Sequence, residues 1–183
     1  MAYNIYETKS IILSIKDFRE NDLLLKIFSY DFGYISVIAA GARKITSKHR
    51  GKLVPFSLAN IALIRGKEFY RMTDIDLEFK FNGHKLVVRY LEEADNIFGE
   101  TIYNLESVDN KGLFGIFNKS IKAIILKKEF DIFVHFLNCY YKGLCGFVPK
   151  IPADDIPDND ADALLEFAQH TVEYYNRTYD IKR

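Results

Sequence analysis

Hydrophobic and polar residues alternate with a short period through the first 81 residues of the chain. Apolar runs rich in Ile, Val, Phe and Tyr recur there between glycine or charged turns. Such runs predict β-strands, because successive side chains of a strand point to opposite faces. We predict five strands from the runs Ser10 to Ile15, Leu23 to Tyr30, Tyr34 to Ala40 and Pro55 to Ile64, and from a last run that contains Ile75, Leu77 and Phe79.

The connections between these runs indicate how the strands pair. Asp31-Phe32-Gly33 predicts a hairpin between the second and third strands, so the first three form a meander. Gly66-Lys67 turns the fourth strand into the fifth, where Asp74, Asp76 and Glu78 occupy a solvated face. Five strands with a long connection between the third and fourth predict a small barrel of the oligonucleotide-binding (OB) type.

Near Asn82-Gly83 the hydrophobic period changes to about 3.6 residues, which is typical of amphipathic helices. We therefore divide the chain into a barrel domain, residues 1–81, and an all-α domain, residues 82–183, giving a two-domain α+β fold. Residues 146–160 contain three prolines and several aspartates, which predicts an ordered loop. We expect Asp158 or Asp160 at its end to cap the final helix. Four helices are predicted from these apolar positions: Leu86, Tyr90, Leu91, Ala94, Ile97 and Phe98; Leu113, Phe117, Ile121, Ile124 and Ile125; Phe133, Phe136, Leu137, Tyr140 and Leu144; and Leu164, Phe167, Ala168, Val172 and Tyr175.

Composition narrows the class of protein. Lysine plus arginine equals aspartate plus glutamate at 25 each, so electrostatic attraction to a partner must come from uneven placement of charge. Two cysteines, Cys139 and Cys145, are too few for a disulfide framework and have neither redox nor zinc spacing. The N-terminus lacks the pattern of a secretion signal and no long uncharged apolar run follows, so we expect a cytoplasmic protein.

Positive charge is concentrated between residues 41 and 71, where eight lysine and arginine side chains accompany a single acid, Glu68. Residues 43–52 lie between two predicted strands, on a flexible loop whose cations can reach phosphates. Such contacts give affinity for a nucleic acid without recognising its base sequence. The alternative is an ordinary solvated loop. Aromatic residues that could stack on bases are Phe18, Tyr34, Phe56, Phe69 and Tyr70, although each also suits a core. The candidate DNA-binding residues are Arg19, Arg43, Lys44, Lys48, His49, Arg50, Lys52, Arg65, Lys67 and Arg71.

Three stretches of the first domain resemble the RecO family of recombination mediators. The first is Thr8-Lys9-Ser10-Ile11-Ile12-Leu13 followed by residues 17–25, and the second is Asp31-Phe32-Gly33-Tyr34-Ile35-Ser36. The third is Gly41-Ala42-Arg43-Lys44, then Ser47-Lys48, Gly51-Lys52-Leu53 and Pro55-Phe56. In the helical half, Gly143-Leu144-Cys145-Gly146-Phe147-Val148-Pro149 is similar to a family stretch of the form Leu-Leu-Gly-Tyr-x-Pro.

The resemblance implies a nucleoid-associated protein that binds single- and double-stranded DNA and anneals complementary strands without ATP. It also implies contact with the C-terminal tail of single-stranded-DNA-binding protein and cooperation with RecR in loading recombinase. The chain is shorter than is usual for the family, and we expect the loss to fall in the C-terminal helical part. It also departs from the family in residues 150–160, where many members carry a four-cysteine zinc module and this chain carries aspartates. We therefore expect no metal or other cofactor.

A second basic group on the helical domain accompanies apolar residues and would suit an acidic peptide with an apolar end, such as that tail. Its members are Lys119, Lys122, Lys127 and Lys128. An amphipathic helix with a solvated basic side explains the same pattern.

Catalysis has no evident site in the sequence. No GxxxxGK[ST] phosphate loop is present, and the four histidines have no metal-ligand spacing. We expect a protein that is not an enzyme. Two alternatives to a DNA-binding mediator stay open: a scaffold for repair partners without DNA affinity, and an RNA-binding barrel protein.

Overall fold

A computed structural model describes residues 4–100, 109–127, 129–157 and 160–179. The chain divides into two compact units, residues 1–83 and 84–183. The first unit contains strands and the second contains helices, as the change of hydrophobic period predicts.

From residue 4 onward the first unit contains five strands, and their order confirms the meander and the long connection after the third strand. β1 begins five residues earlier than predicted, because its first residues pair with β4 along the full length of that strand. The strands are β1 (Ile5–Asp17), β2 (Leu23–Ser29), β3 (Gly33–Ala39), β4 (Ser57–Arg65) and β5 (Tyr70–Lys80).

These strands close into a barrel in the order β1-β2-β3-β5-β4. The second half of β1 pairs with β2 and its first half pairs with β4. This one long strand therefore forms hydrogen bonds with both of its neighbours in the barrel. β3 meets β5 in a short parallel contact, Val37 opposite Tyr70 and Ile38 opposite Arg71. This arrangement confirms the OB-like barrel.

The barrel interior is filled by alternate residues of every strand. Phe79 departs from the predicted pattern, since it is 45% exposed instead of facing the core. The register shifts between Leu58 and Ala59 of β4, and past this bulge the Phe79 ring packs edge-on against Phe81. The core residues are Ile12, Leu25, Ile27, Val37, Ala39, Ala42, Ala59, Ile61, Leu63, Met72 and Ile75.

The described part of the second unit contains four α-helices and one short 3₁₀ helix. α3 packs against α4 and α1, and α2 packs against α4. No described helix is both long and apolar enough to cross a bilayer. The helices are α1 (Lys85–Glu100), α2 (Asn110–Lys127), α3 (Phe130–Leu144), the 3₁₀ helix (Ala153–Asp155) and α4 (Ala161–Tyr179).

Two aspartates begin helices in this unit. Asp160 Oδ1 accepts backbone hydrogen bonds from Asp162 and Ala163 at 2.9 and 3.2 Å, which confirms the predicted cap of α4. Asp158, the alternative cap, lies outside the described residues. Asp109 Oδ1 accepts from the backbone N–H of Gly112 at 2.9 Å and begins α2 in the same way.

Candidate functional site

The connection between β3 and β4, residues 40–56, carries most of the predicted DNA-binding residues, and we call it the basic loop. The structure differs here from the expectation of a flexible loop, because successive turns fold it back on itself. Gly41 and Gly51 adopt positive φ angles of 64° and 83°, which glycine tolerates best. The turns are closed by backbone hydrogen bonds from Ala42 to Ala39, Lys44 to Gly41, Ser47 to Lys44, Arg50 to Ser47 and Lys52 to His49.

The start of the basic loop is hydrogen-bonded to the turn between β1 and β2, residues 18–22. Asp22 Oδ1 accepts from the backbone N–H of Gly41 at 2.8 Å, and the backbone N–H of Arg43 donates to the Asn21 carbonyl at 3.1 Å. The Arg43 guanidinium lies 3.3 Å from Asp17 Oδ2 and 3.5 Å from the Arg19 carbonyl. The structure therefore brings Arg43 and Arg19 together.

The end of the basic loop contacts β5 through an ion pair and a hydrogen bond. Lys48 Nζ lies 3.4 Å from Asp74 Oδ1, and Lys52 Nζ donates to the Ile75 carbonyl at 3.0 Å. His49 is buried beneath the loop with Nδ1 3.7 Å from the same Asp74 oxygen. Asp74 thus faces two of the candidate side chains at once.

Burial and local hydrogen bonds set the charges at this second attachment. Burial is the main cause that lowers the pKa of His49, and the neighbouring Lys48 and Lys52 lower it further against the opposing effect of Asp74. His49 is consequently neutral at pH 7 and adds no positive charge. The pKa of Asp74 is also lowered, chiefly by the hydrogen bond from the Ile75 backbone and then by Lys48, so Asp74 is ionised there.

Several candidate cations remain available for an anionic ligand. Lys44 and Arg50 are exposed on the basic loop and form no ion pair with any residue in the described part of the chain. Arg65, Lys67 and Arg71 are exposed side chains. They lie around the turn between β4 and β5, where the backbone of Arg65 pairs with Tyr70 and that of Ile64 with Arg71. The exposed cations are therefore on the basic loop, at Lys44 and Arg50, and around the β4–β5 turn.

Sequence reasoning located the cations but missed the acids that pair with them. Asp17, which pairs with Arg43, ends β1 and is far from the basic loop in sequence, as is Asp22, which accepts from the Gly41 backbone. Asp74 was assigned correctly to the solvated face of β5, yet alternation gives no indication of which loop covers that face. Only the closure of the barrel brings these carboxylates to residues 41–49.

The second basic group lies partly around a cavity between α2 and α4. Lys119 and Lys122 line this cavity of about 130 Å³ together with Leu126, which is 68% exposed. Lys127 instead forms an ion pair with Asp162. Lys128 lies outside the described residues.

Comparison with known proteins identifies relatives of the barrel unit. Residues 1–81 match the family model described as recombination protein O N terminal. A DNA repair protein RecO from Clostridium novyi (strain NT) is 34% identical over 74 residues, which are 40% of this chain and 29% of the relative.

Two further matches extend into the helical unit. DNA repair protein RecO from Caldanaerobacter subterraneus subsp. tengcongensis is 26% identical over 148 residues, covering 79% of this chain and 60% of the relative. The protein of the same name from Thermoanaerobacter sp. (strain X514) is 24% identical over 152 residues, covering 80% of this chain and 60% of the relative. The chain thus matches 60% or less of the length of each of these three relatives.

Proposed function

We propose that the chain, whose residues 1–81 match the N-terminal part of the RecO family of DNA repair proteins, binds DNA through its barrel without catalysing a reaction. The observation that supports this most directly is the exposed positive charge of the basic loop and the β4–β5 turn on an OB-like barrel. Barrels of this type bind oligonucleotides through neighbouring loops and strands. The cations contact phosphates, so binding tolerates many sequences.

The experiment that tests this proposal is fluorescence anisotropy of labelled single-stranded DNA over a salt series. Displacement of counterions from phosphates makes the observed affinity fall steeply as salt rises. Duplex DNA and RNA of matched sequence are titrated in parallel, because an RNA-binding barrel has the same electrostatics. Absence of binding at low salt would reject the proposal, and a clear preference for RNA would replace DNA with RNA as the ligand.

Strand annealing is the activity that we propose for the bound state. Neutralising the phosphates of two complementary strands reduces their repulsion, and this requires no nucleotide hydrolysis. The RecO resemblance extends the proposal to RecR as a partner and to the loading of recombinase. Mixing complementary oligonucleotides with the protein in the absence of ATP should accelerate duplex formation, whereas an unchanged rate would contradict this step.

Removing the acids that pair with the basic loop should strengthen DNA binding. Asp17→Asn combined with Asp74→Asn frees Arg43 and Lys48 from ion pairs, and the amide oxygen introduced on β5 can still accept the Ile75 hydrogen bond. We expect affinity for single-stranded DNA to rise about two- to tenfold, since exposed ion pairs are individually weak. The matched control is Asp76→Asn combined with Glu93→Gln, which removes two exposed carboxylates without breaking an ion pair to the basic loop. An equal gain in the control would indicate general charge instead of these pairs.

The cavity between α2 and α4 is the proposed site for the acidic C-terminal tail of single-stranded-DNA-binding protein. Lys122 lines it with positive charge beside Lys119, whose ammonium donates to the Ile156 carbonyl at 3.5 Å, and Leu126 adds exposed apolar surface. Lys122→Glu should weaken binding of a synthetic acidic peptide with an apolar C-terminal residue by about tenfold, because it replaces attraction with repulsion. Lys85→Glu, an exposed change on α1, is the control. Equal affinity of the two variants in a peptide titration would argue against the cavity.

A scaffold without DNA affinity is the second candidate function. It is favoured by the ion pairs of Arg43 with Asp17 and of Lys48 with Asp74, which neutralise part of the positive charge. The anisotropy series separates the two functions, since a scaffold would bind RecR but leave the oligonucleotide free at every salt concentration.

A further inference from the structure

Two phenylalanines bridge the loops at one end of the barrel. Phe18 lies in the β1–β2 turn and Phe69 in the β4–β5 turn, and their ring centroids are 6.0 Å apart at an interplanar angle of 66°. Phe18 is 36% exposed and Phe69 is partly exposed. The pair is therefore an aromatic surface that is open to solvent where the two turns meet.

The backbone of each turn fixes the position of its phenylalanine. The N–H of Phe18 donates to the Asp22 carbonyl at 3.2 Å, and the N–H of Asp22 returns to the Arg19 carbonyl at 3.3 Å. In the other turn the N–H of Gly66 donates to the Phe69 carbonyl at 3.1 Å. A Cβ at Gly66 would lie only 2.2 Å from that carbonyl oxygen, so the turn that presents Phe69 requires glycine.

The other aromatic candidates for base stacking have structural roles in the barrel. Tyr70 packs against Phe32 with ring centroids 5.3 Å apart and contacts the core. Tyr34 lies on a strand, β3, where its ring faces the Lys26 ammonium 5.4 Å from the ring centroid. Phe56 holds a strained backbone with φ of 56° between hydrogen bonds to Ile12 and Phe81. Phe18 and Phe69 differ from these three candidates because their rings meet across two turns.

Cations surround this pair on both turns. The Arg19 guanidinium carbon lies 5.1 Å from the Phe18 ring centroid, and Arg43 reaches the Arg19 carbonyl. Arg65 and Lys67 lie beside Phe69 on the β4–β5 turn and are exposed. Bases stack on arginine planes as well as on aromatic rings, so Arg19 extends the surface while the remaining cations suit the flanking phosphates.

We propose that the Phe18–Phe69 pair and Arg19 form a stacking site for an unpaired nucleobase of a single strand. The proposal rests on the proposed function, and it predicts that this site gives single strands an affinity advantage over duplex. A duplex keeps its bases stacked on one another, so it can offer phosphates to the basic loop but no free base face to this pair. Contacts with the sugar-phosphate backbone and contacts with bases therefore belong to different parts of one surface.

The test compares wild type with a Phe18→Leu, Phe69→Leu double variant. Leucine keeps apolar contact between the turns and removes the aromatic faces. Anisotropy is measured with labelled oligothymidylate, with an abasic oligomer of the same length and charge, and with duplex DNA. Phe79→Leu is the control, since it removes a 45% exposed phenylalanine from the opposite end of β5. Circular dichroism melting of each variant verifies that the barrel is folded.

Wild type should prefer oligothymidylate over the abasic oligomer by about five- to 150-fold, the range for one stacked base. The double variant should lose that preference while its affinity for the abasic oligomer and for duplex, and its salt dependence, stay within about twofold of wild type. Phe79→Leu should behave as wild type. The stacking proposal is overturned if folded wild type binds both oligomers equally, or if the double variant keeps the preference. Failure of wild type to bind any oligomer would instead reject the proposed function.

Discussion

Alanine at Arg43, Lys44, Lys48 and Arg50 together is expected to lower the affinity for single-stranded DNA on the order of 100-fold at low salt. The same change should flatten the slope of log K against log salt by about 2–3, because each phosphate neutralised on a single strand contributes about 0.7 to that slope. Anisotropy titrations over a salt series measure both quantities. Loss of affinity with an unchanged slope would mean that these side chains act other than as phosphate contacts.

The ion pairs of the basic loop predict an unequal division of this effect. Lys44 and Arg50 are exposed without an ion pair to any described residue, whereas Arg43 and Lys48 must each leave an aspartate to meet a phosphate. Lys44→Ala with Arg50→Ala should therefore cost more affinity than Arg43→Ala with Lys48→Ala. Lys85→Ala with Lys150→Ala removes the same charge from exposed side chains of the helical unit and serves as the control. Equal losses in all three pairs would indicate that only net charge matters.

Local pattern was sufficient to predict the strands, because burial in a barrel imposes alternation on each strand separately. β2 shows this well, since Leu25 and Ile27 enter the core and Lys26 between them does not. Alternation failed at Phe79, where a bulge in the pairing with β4 ends the regular register. Bulges depend on how two strands meet, so a single-strand pattern cannot predict them.

The candidate site was predicted in composition but not in geometry. Clustering of lysine and arginine in residues 41–71 is a property of the sequence itself. Which of these cations are neutralised depends on Asp17 and Asp74, and these reach the loop only when β1 and β5 take their places in the ring. The contact between Phe18 and Phe69 likewise joins turns that are about 50 residues apart in the chain.

The second large effect is expected in the barrel core, at Ile61. This residue is fully buried on β4, opposite Thr8 of β1 on one side and Ile75 of β5 on the other. Ile61→Ala should lower the free energy of unfolding of the barrel by about 2–5 kcal/mol, because it removes buried methyl groups and leaves a cavity. A domain of this size has only about 5–15 kcal/mol of stability in total, so the change is a large fraction of it.

Hydrogen exchange followed by mass spectrometry can assign this loss to the barrel, since peptides of β1, β4 and β5 are resolved from peptides of the helical unit. A loss of about 2–5 kcal/mol should speed exchange of the most protected barrel amides by roughly 30- to 5000-fold where exchange proceeds through unfolding. Ile45→Ala is the matched control, because the same atoms are removed from a side chain that is 84% exposed on the basic loop. Its effect should stay within about 0.5 kcal/mol. Similar exchange in the two variants would contradict a barrel stabilised by its interior, and with it the rigid base from which the basic loop presents its cations.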